Sequence, residues 1–170
     1  MNNITRLALV AACALVLSAC ARQVREEPPA PVAQAPAPAA PVVADDGRFG
    51  PEDLDTNACL MQRTVLFDFD QAMIRPEFQA IMACHAKYLR DRPEARVTLE
   101  GNADERGSRE YNLALGERRG NAVSAALQAA GGSAGQLTVV SYGEERPVCT
   151  EATEACWQQN RRVEIVYTAR

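Results

Sequence analysis

The 170-residue chain is poor in the residues that carry most enzyme and metal chemistry. It has one histidine (His85), one tryptophan (Trp157), and aromatic residues make up only 5% of it. Without a CxxC pair or a second histidine, it lacks the ligand spacing of a zinc site, so neither a metal nor any other cofactor is expected. No nucleophile stands beside an evident general base. Basic side chains are not in excess: 18 Lys and Arg face 22 Asp and Glu, for a net charge of −4. Nucleic acid needs a basic footprint and is therefore not an expected partner. A spanning run is missing as well. The apolar stretch Leu7 to Leu17 has eleven residues, against the ~20 that a membrane-crossing helix requires.

What that short run does fit is a secretory signal. Arg6 precedes it, and the small residues Ser18 and Ala19 follow it, so residues 1–19 read as a cleaved leader. Leu17-Ser18-Ala19-Cys20 resembles the bacterial lipobox, which makes Cys20 the acylated first residue of a lipoprotein. Each buried methylene of an acyl chain adds about 0.8 kcal/mol, and stable anchoring takes more than one chain. Ala21, rather than aspartate, fits sorting to the outer membrane, with the chain anchored on its periplasmic face. Loss of the leader removes one arginine and no acid, leaving 17 basic and 22 acidic side chains and a net charge near −5.

Residues 20–56 read as a lipidated tether. The stretch 28–43, PPAPVAQAPAPAAPVV, holds six of the ten prolines. Such a segment favours extended, semi-rigid conformations of roughly 3 Å per residue.

Residues 57–170 have the length of one domain. Thr64 to Asp70 alternates at strand period, with Val65, Phe67 and Phe69 on one face. Pro76 suits the start of a helix whose inner face carries Phe78, Ile81, Met82, His85 and Leu89. Arg96–Glu100 is a second strand. Ser108 is a helix cap, and Gly131-Gly132 ends that helix. Strands follow over Leu137–Tyr142 and Arg162–Tyr167, with a short helix around Ala152–Gln159 before the last. The order β-α-β-α-β-(α)-β predicts an α+β sandwich, a mixed four-stranded sheet covered by helices on one face. His85 reads as a core histidine bonded to backbone. Cys59, Cys84, Cys149 and Cys156 are even in number in an oxidising compartment. Of three possible pairings, Cys59–Cys84 and Cys149–Cys156 are the expectation.

The charged residues of GNADERGSREYNLALGERR, residues 101–119, pose the functional question. At 100° per residue from Leu115, Ala122, Val123, Ala126 and Ala130 cluster within about 80° of it, with Arg119 at about 40° and Asn112 at about 60°. A guanidinium in a buried stripe needs a partner, because a lone buried charge costs several kcal/mol. Two readings stay open: an Asp104–Arg119 salt bridge that pins the Gly101–Gly107 turn, or a pocket that a ligand fills. In the second, Asp104 accepts from a ligand ammonium and Arg119 grips a carboxylate, with Asp70 converging from the end of the first strand. A zwitterionic amino-acid head is the simplest such ligand.

Phe67-Asp68-Phe69-Asp70, the 101–119 stretch, Val140-Ser141-Tyr142-Gly143-Glu144-Glu145-Arg146-Pro147 and Asn160-Arg161-Arg162-Val163 together resemble the OmpA-like peptidoglycan-binding domain. The resemblance spans roughly residues 60–168. It implies noncovalent binding of peptidoglycan through the meso-diaminopimelate of the stem peptide, with no bond cleaved. It further implies Asp104 and Arg119 as the principal contacts, with support from Phe69, Asp70, Gly101, Asn102, Ala103, Asn112, Leu115 and Arg162. The lipid-anchored members resembled here work with the β-propeller protein TolB and with TolA during constriction. Asn102 stands where several relatives have histidine. The Cys149–Cys156 loop and the run Glu144-Glu145-Arg146 also depart from them.

Two alternatives accompany this reading. One is an OmpA-like lipoprotein of another envelope machine, with the same pocket and different protein partners. The other is a hydrolase working with two carboxylates, or an acidic metal site drawn from Asp68, Asp70 and Asp104. Glycoside hydrolysis needs two carboxyls at a defined separation across a sugar, and no such pair is identifiable.

Overall fold

The computed structural model describes residues 47–170. The expected leader, Cys20 and the proline-rich run 28–43 lie outside the described residues. The described elements are α1 (Asp53–Thr56), β1 (Thr64–Leu66), a 3-10 turn (Pro76–Phe78) leading into α2 (Gln79–Asp91), β2 (Arg96–Asn102) and α3 (Arg109–Ala129). A second 3-10 turn (Ala134–Gln136), β3 (Leu137–Gly143), α4 (Glu154–Asn160) and β4 (Arg162–Ala169) complete the order.

The four strands form one mixed sheet in the order β1-β4-β2-β3. β4 runs antiparallel to both β1 and β2, while β2 and β3 are parallel. A parallel pair needs a crossover, and α3 supplies it. Val97 and Leu99 of β2 and Val163 and Ile165 of β4 are buried with Ile81, Met82 and Leu89 of α2 and Val123 and Leu127 of α3. Each such side chain contributes about 1.5–3 kcal/mol on burial. This is the expected α+β fold.

Close approach of α3 to the sheet depends on missing side chains. A Cβ on Gly101 would stand 1.9 Å from the Gly116 carbonyl oxygen, and a Cβ on Gly116 would stand 2.3 Å from Ser141 Oγ. The buried stripe of α3 therefore includes Gly116 and Gly120 beside Asn112, Leu115, Arg119, Val123 and Leu127. It is narrower than the alanine-rich stripe expected, because Ala122, Ala126 and Ala130 are only half-buried.

The first strand is shorter than the expected alternation over 64–70. Val65 and Phe67 are buried, and the Phe67 amide still donates to the Arg161 carbonyl at 2.9 Å. Phe69, expected on the same face as Val65 and Phe67, is 56% exposed. The chain turns here: the Gln71 amide donates to the Asp68 carbonyl at 3.2 Å, and Asp70 has φ +56°, a region that aspartate tolerates better than most residues. The turn swings Phe69 and Asp70 away from the sheet.

Packing also begins upstream of Asn57. Leu54 is fully buried, Phe49 packs on the core, and the Phe49 amide donates to Asp91 Oδ2 at 2.9 Å. A four-residue helix among polar residues leaves no periodicity to read.

Both expected disulfides are present, with Cα–Cα distances of 6.4 Å for Cys59–Cys84 and 5.2 Å for Cys149–Cys156. Chain-entropy reasoning over sequence separations of 25 and 7 gives roughly 3.5 and 2.4 kcal/mol respectively. His85 is fully buried, with its Nε2 3.0 Å from the Gln62 carbonyl oxygen and its Nδ1 2.8 Å from the Tyr167 hydroxyl. It is the backbone-bonded core histidine expected.

Two outcomes follow from these contacts. Gly116→Ala should destabilise the domain by about 1–3 kcal/mol, the usual range for overpacking, because its neighbours are a backbone carbonyl and a strand side chain; a denaturant midpoint unchanged from wild type would refute the close packing. Burial pushes the His85 imidazole below its ordinary value of 6.5, opposed by the Gln62 bond and helped by Arg63. The unfolded chain thus takes up that proton first, so this stability is complete above about pH 6.5 and declines as pH falls towards the folded value. Chemical denaturation from pH 7.5 to pH 5 should show the decline, and His85→Gln should flatten it.

Candidate functional site

The site forms where β2 ends, α3 begins and the 67–71 turn meets them. The Ala103 amide donates to the Gly143 carbonyl at 2.7 Å, which continues the β2–β3 pairing past Asn102 and places Asp104 at the sheet's end. Gly107, at φ +114°, reverses the chain. Ser108 Oγ then accepts from the Tyr111 amide at 3.2 Å, capping α3.

Arg119 is fully buried and bonds to backbone. Its Nε donates to the Gln71 carbonyl at 2.8 Å, Nη1 to the Asn102 carbonyl at 2.8 Å, and Nη2 to the Asp68 carbonyl at 3.2 Å. Its guanidinium carbon lies 5.4 Å from the Phe67 ring centroid. Burial lowers its pKa to about 10, with Asp104 opposing the shift, so it is protonated at neutral pH. No Asp104–Arg119 ion pair is found among the described residues; the salt-bridge reading of this pair is set aside.

Asp104, only 4% exposed, pairs elsewhere. Its Oδ1 accepts from the Arg106 amide at 3.1 Å and from Arg106 Nε at 3.2 Å; its Oδ2 accepts from Arg106 Nη2 at 2.7 Å and Arg161 Nη1 at 3.1 Å. Glu154 closes the ring, accepting from Arg161 Nη2 at 2.5 Å and lying 3.4 Å from Arg106 Nη1. Burial alone would raise the Asp104 carboxyl, but the bonds from Arg106 and Arg161 outweigh it and hold the carboxyl below the usual aspartate value. The Arg106 guanidinium is layered between two rings, 4.2 Å from the centroids of both Phe69 and Trp157.

A cavity of about 210 Å³ opens beside this network, lined by Phe69, Asp70, Asp104, Arg106, Gly107, Tyr111, Asn112, Leu115 and Arg119. Tyr111 OH donates to Asp70 Oδ1, and Asn112 Nδ2 donates to Glu144 Oε2. Six of the ten expected ligand residues therefore converge on one cavity: Asp104, Arg119, Asp70, Phe69, Asn112 and Leu115.

The other four do not line it. Gly101 makes room for α3. Asn102 is 1% exposed; its Nδ2 donates to the Glu100 carbonyl at 2.9 Å, and its own carbonyl holds Arg119. Ala103 is buried under a smaller neighbouring cavity. Arg162 pairs with Glu164 at 2.6 Å and donates to the Arg146 carbonyl at 3.2 Å. The arginine beside Asp104 is instead Arg161. Counting back at period two from the inward Val163 and Ile165 puts Arg161, not Arg162, on the core face. Arg106, Tyr111 and Trp157 were also missed. Arg106 stands two residues from Asp104, but nothing in local spacing brings Trp157 over its face.

Residues 66–161 match the model of the OmpA family. The chain belongs to the OmpA family. It is 37% identical over 167 residues to the peptidoglycan-associated lipoprotein of Pasteurella multocida, covering 98% of this chain and all of that protein. It is 53% identical over 102 residues to the protein of the same name from Pseudomonas putida, across 60% of this chain and 61% of the other. The crystal structure of the peptidoglycan-associated lipoprotein from Burkholderia pseudomallei superposes with a TM-score of 0.67 at 44% identity, covering 68% of this chain and 98% of that one.

Asp104→Asn should lower stability by about 2–3 kcal/mol at pH 7, because it removes the charge that two guanidinium groups face. The wild-type contribution is present above about pH 3.8 and is lost as pH falls through the lower folded value. The gap between the two proteins in urea melts should therefore shrink as pH falls below about 3.8; a gap constant with pH would rule the ionic account out.

Proposed function

We propose that the chain is a lipid-anchored outer-membrane protein that grips peptidoglycan noncovalently, through the zwitterionic end of meso-diaminopimelate in the stem peptide. The observation that carries this reading is the cavity itself, which brings the Asp104 carboxylate and the Arg119 guanidinium to one small opening with Asp70 among its walls. Its volume of about 210 Å³ is below the 300–1,000 Å³ of sites that enclose drug-sized ligands, and suits one amino-acid terminus better than a sugar chain. The relatives named peptidoglycan-associated lipoprotein support it, as does Leu17-Ser18-Ala19-Cys20 upstream.

In this reading Asp104 and Asp70 face the ligand ammonium. Arg119 acts from the cavity floor on the carboxylate: three of its five N–H groups hold backbone carbonyls, and two remain for a ligand. Phe69, Asn112 and Leu115 shape the walls, while Gly101, Asn102, Ala103 and Arg162 support the frame. Each charge-assisted hydrogen bond contributes about 1.5–3 kcal/mol, and two or three together reach micromolar affinity once association costs are met. With Cys20 acylated, the tether would link membrane to wall, and the full-length similarity to a Pasteurella lipoprotein favours work alongside TolB and TolA over another envelope machine.

Incubated with isolated sacculi and centrifuged, the wild-type protein should pellet. Asp104→Ala should remain in the supernatant, its folding verified by circular dichroism. Leu115→Lys, which fills the cavity without touching the ionic ring, should do the same. Pelleting of both variants at the wild-type level would reject this cavity as the wall site.

A further inference from the structure

Asp104 has no idle acceptor. Its two oxygens already take four N–H groups, three from Arg106 and one from Arg161, which matches the roughly four acceptor positions of a carboxylate. A ligand ammonium can reach it only by displacing a guanidinium. Arg161 is poorly placed to leave: its side chain is 3% exposed, and it also bonds to the Phe67 carbonyl, Glu154 and Gln158. Arg106 is the mobile partner by comparison. Its side chain is 31% exposed, it lines the cavity, and its remaining ion pair is to the largely exposed Glu154.

We propose that Arg106 is a specificity-determining residue of this cavity: its guanidinium is the displaceable internal partner of Asp104, and a zwitterionic ligand inserts into that ion pair, its ammonium taking Asp104 and its carboxylate bridging Arg119 and the displaced Arg106. The inference rests on reading the cavity as a zwitterion site. The exchange is balanced in charge, since one ion pair opens and two form across the ligand. A ligand with only an ammonium breaks the same internal pair and returns just one. A ligand with only a carboxylate leaves Asp104 with Arg161 alone where it had two guanidinium partners. Arg106 therefore selects for both charges together, a selectivity built by making the wrong ligand displace a pair it cannot replace. The Phe69 and Trp157 rings hold the guanidinium flat and so set the threshold.

Trp157 is the chain's only tryptophan, so its emission reports the guanidinium leaving its face. Two soluble tripeptides test the idea, L-Ala-γ-D-Glu-meso-diaminopimelate and the same peptide ending in L-lysine, which lacks the terminal carboxylate. Calorimetric titration of wild type should favour the first, and that binding should change Trp157 emission. In Arg106→Ala the ratio of the two affinities should fall about tenfold, or about 1.4 kcal/mol, and the emission change should vanish; Arg106→Lys, which keeps the charge, should recover part of the ratio. An unchanged ratio in a folded Arg106→Ala protein overturns the proposal and leaves the peptidoglycan reading standing. Wild type that binds neither peptide overturns both.

Discussion

The geometry of the site depends on one buried guanidinium holding three backbone carbonyls. Arg119 reaches Asp68 and Gln71 on one side and Asn102 on the other, so it clamps the turn after β1 to the end of β2. Those two segments are far apart in sequence and have no strand pairing with each other: β1 pairs with β4 alone. Arg119 is the backbone link between the two segments, and the Tyr111–Asp70 hydrogen bond and the stacking of Phe69 on Arg106 add side-chain contacts that keep Phe69 and Asp70 opposite Asp104. A lone charge buried here would be costly. Three carbonyl oxygens, with the Phe67 ring beneath, supply partial negative charge without a neutralising carboxylate, which leaves Asp104 free to make its own pairs.

Asp104 uses that freedom in a ring of alternating charge with Arg106, Arg161 and Glu154. Two acids and two arginines balance locally, and Arg119 stands outside the balance. The cavity therefore has a surplus positive charge on its floor and a carboxylate at Asp70 on its wall. This is a site organised around charge separation, and its walls are apolar enough to strengthen each interaction relative to bulk water.

Much of this was legible in the sequence, and the failures have identifiable causes. Alternation carried the strands and an apolar face carried α2, whereas α3 was marked by its Ser108 cap and its Gly131-Gly132 stop. The position of Arg119 in the buried stripe of α3 was readable from its angle alone, as was the core placement of His85. The turn after β1 was misjudged: alternation predicts Phe69 on the same face as Val65 and Phe67, but a left-handed Asp70 and the pull of Arg119 on two carbonyls override a pattern that extends only two residues further. Arg119's partners were unreadable because backbone carbonyls carry no residue identity. Arg161 was hidden beside Arg162, although strand parity separates them. Trp157 over Arg106 is a contact between segments 51 residues apart in number, and single-sequence spacing has no access to it.

The same contact explains why so short a helix as α4 persists. Seven residues are too few for a helix to stand alone in water. Here Thr153 Oγ1 accepts from the Cys156 amide at 3.3 Å, the Cys149–Cys156 disulfide ties the helix to the preceding loop, and Asn160 Oδ1 accepts from the Val148 and Cys149 amides at 2.9 and 3.1 Å. From the far end Arg161 bonds back to Glu154 and Gln158 while also holding Asp104. The covalent link joins the first turn of the helix to the loop, the Glu154–Arg161 pair spans the helix from its first residue to the one after its last, and Trp157 projects from between them onto Arg106. Cap, disulfide and charge ring together order α4 with the Trp157 ring over the Arg106 guanidinium.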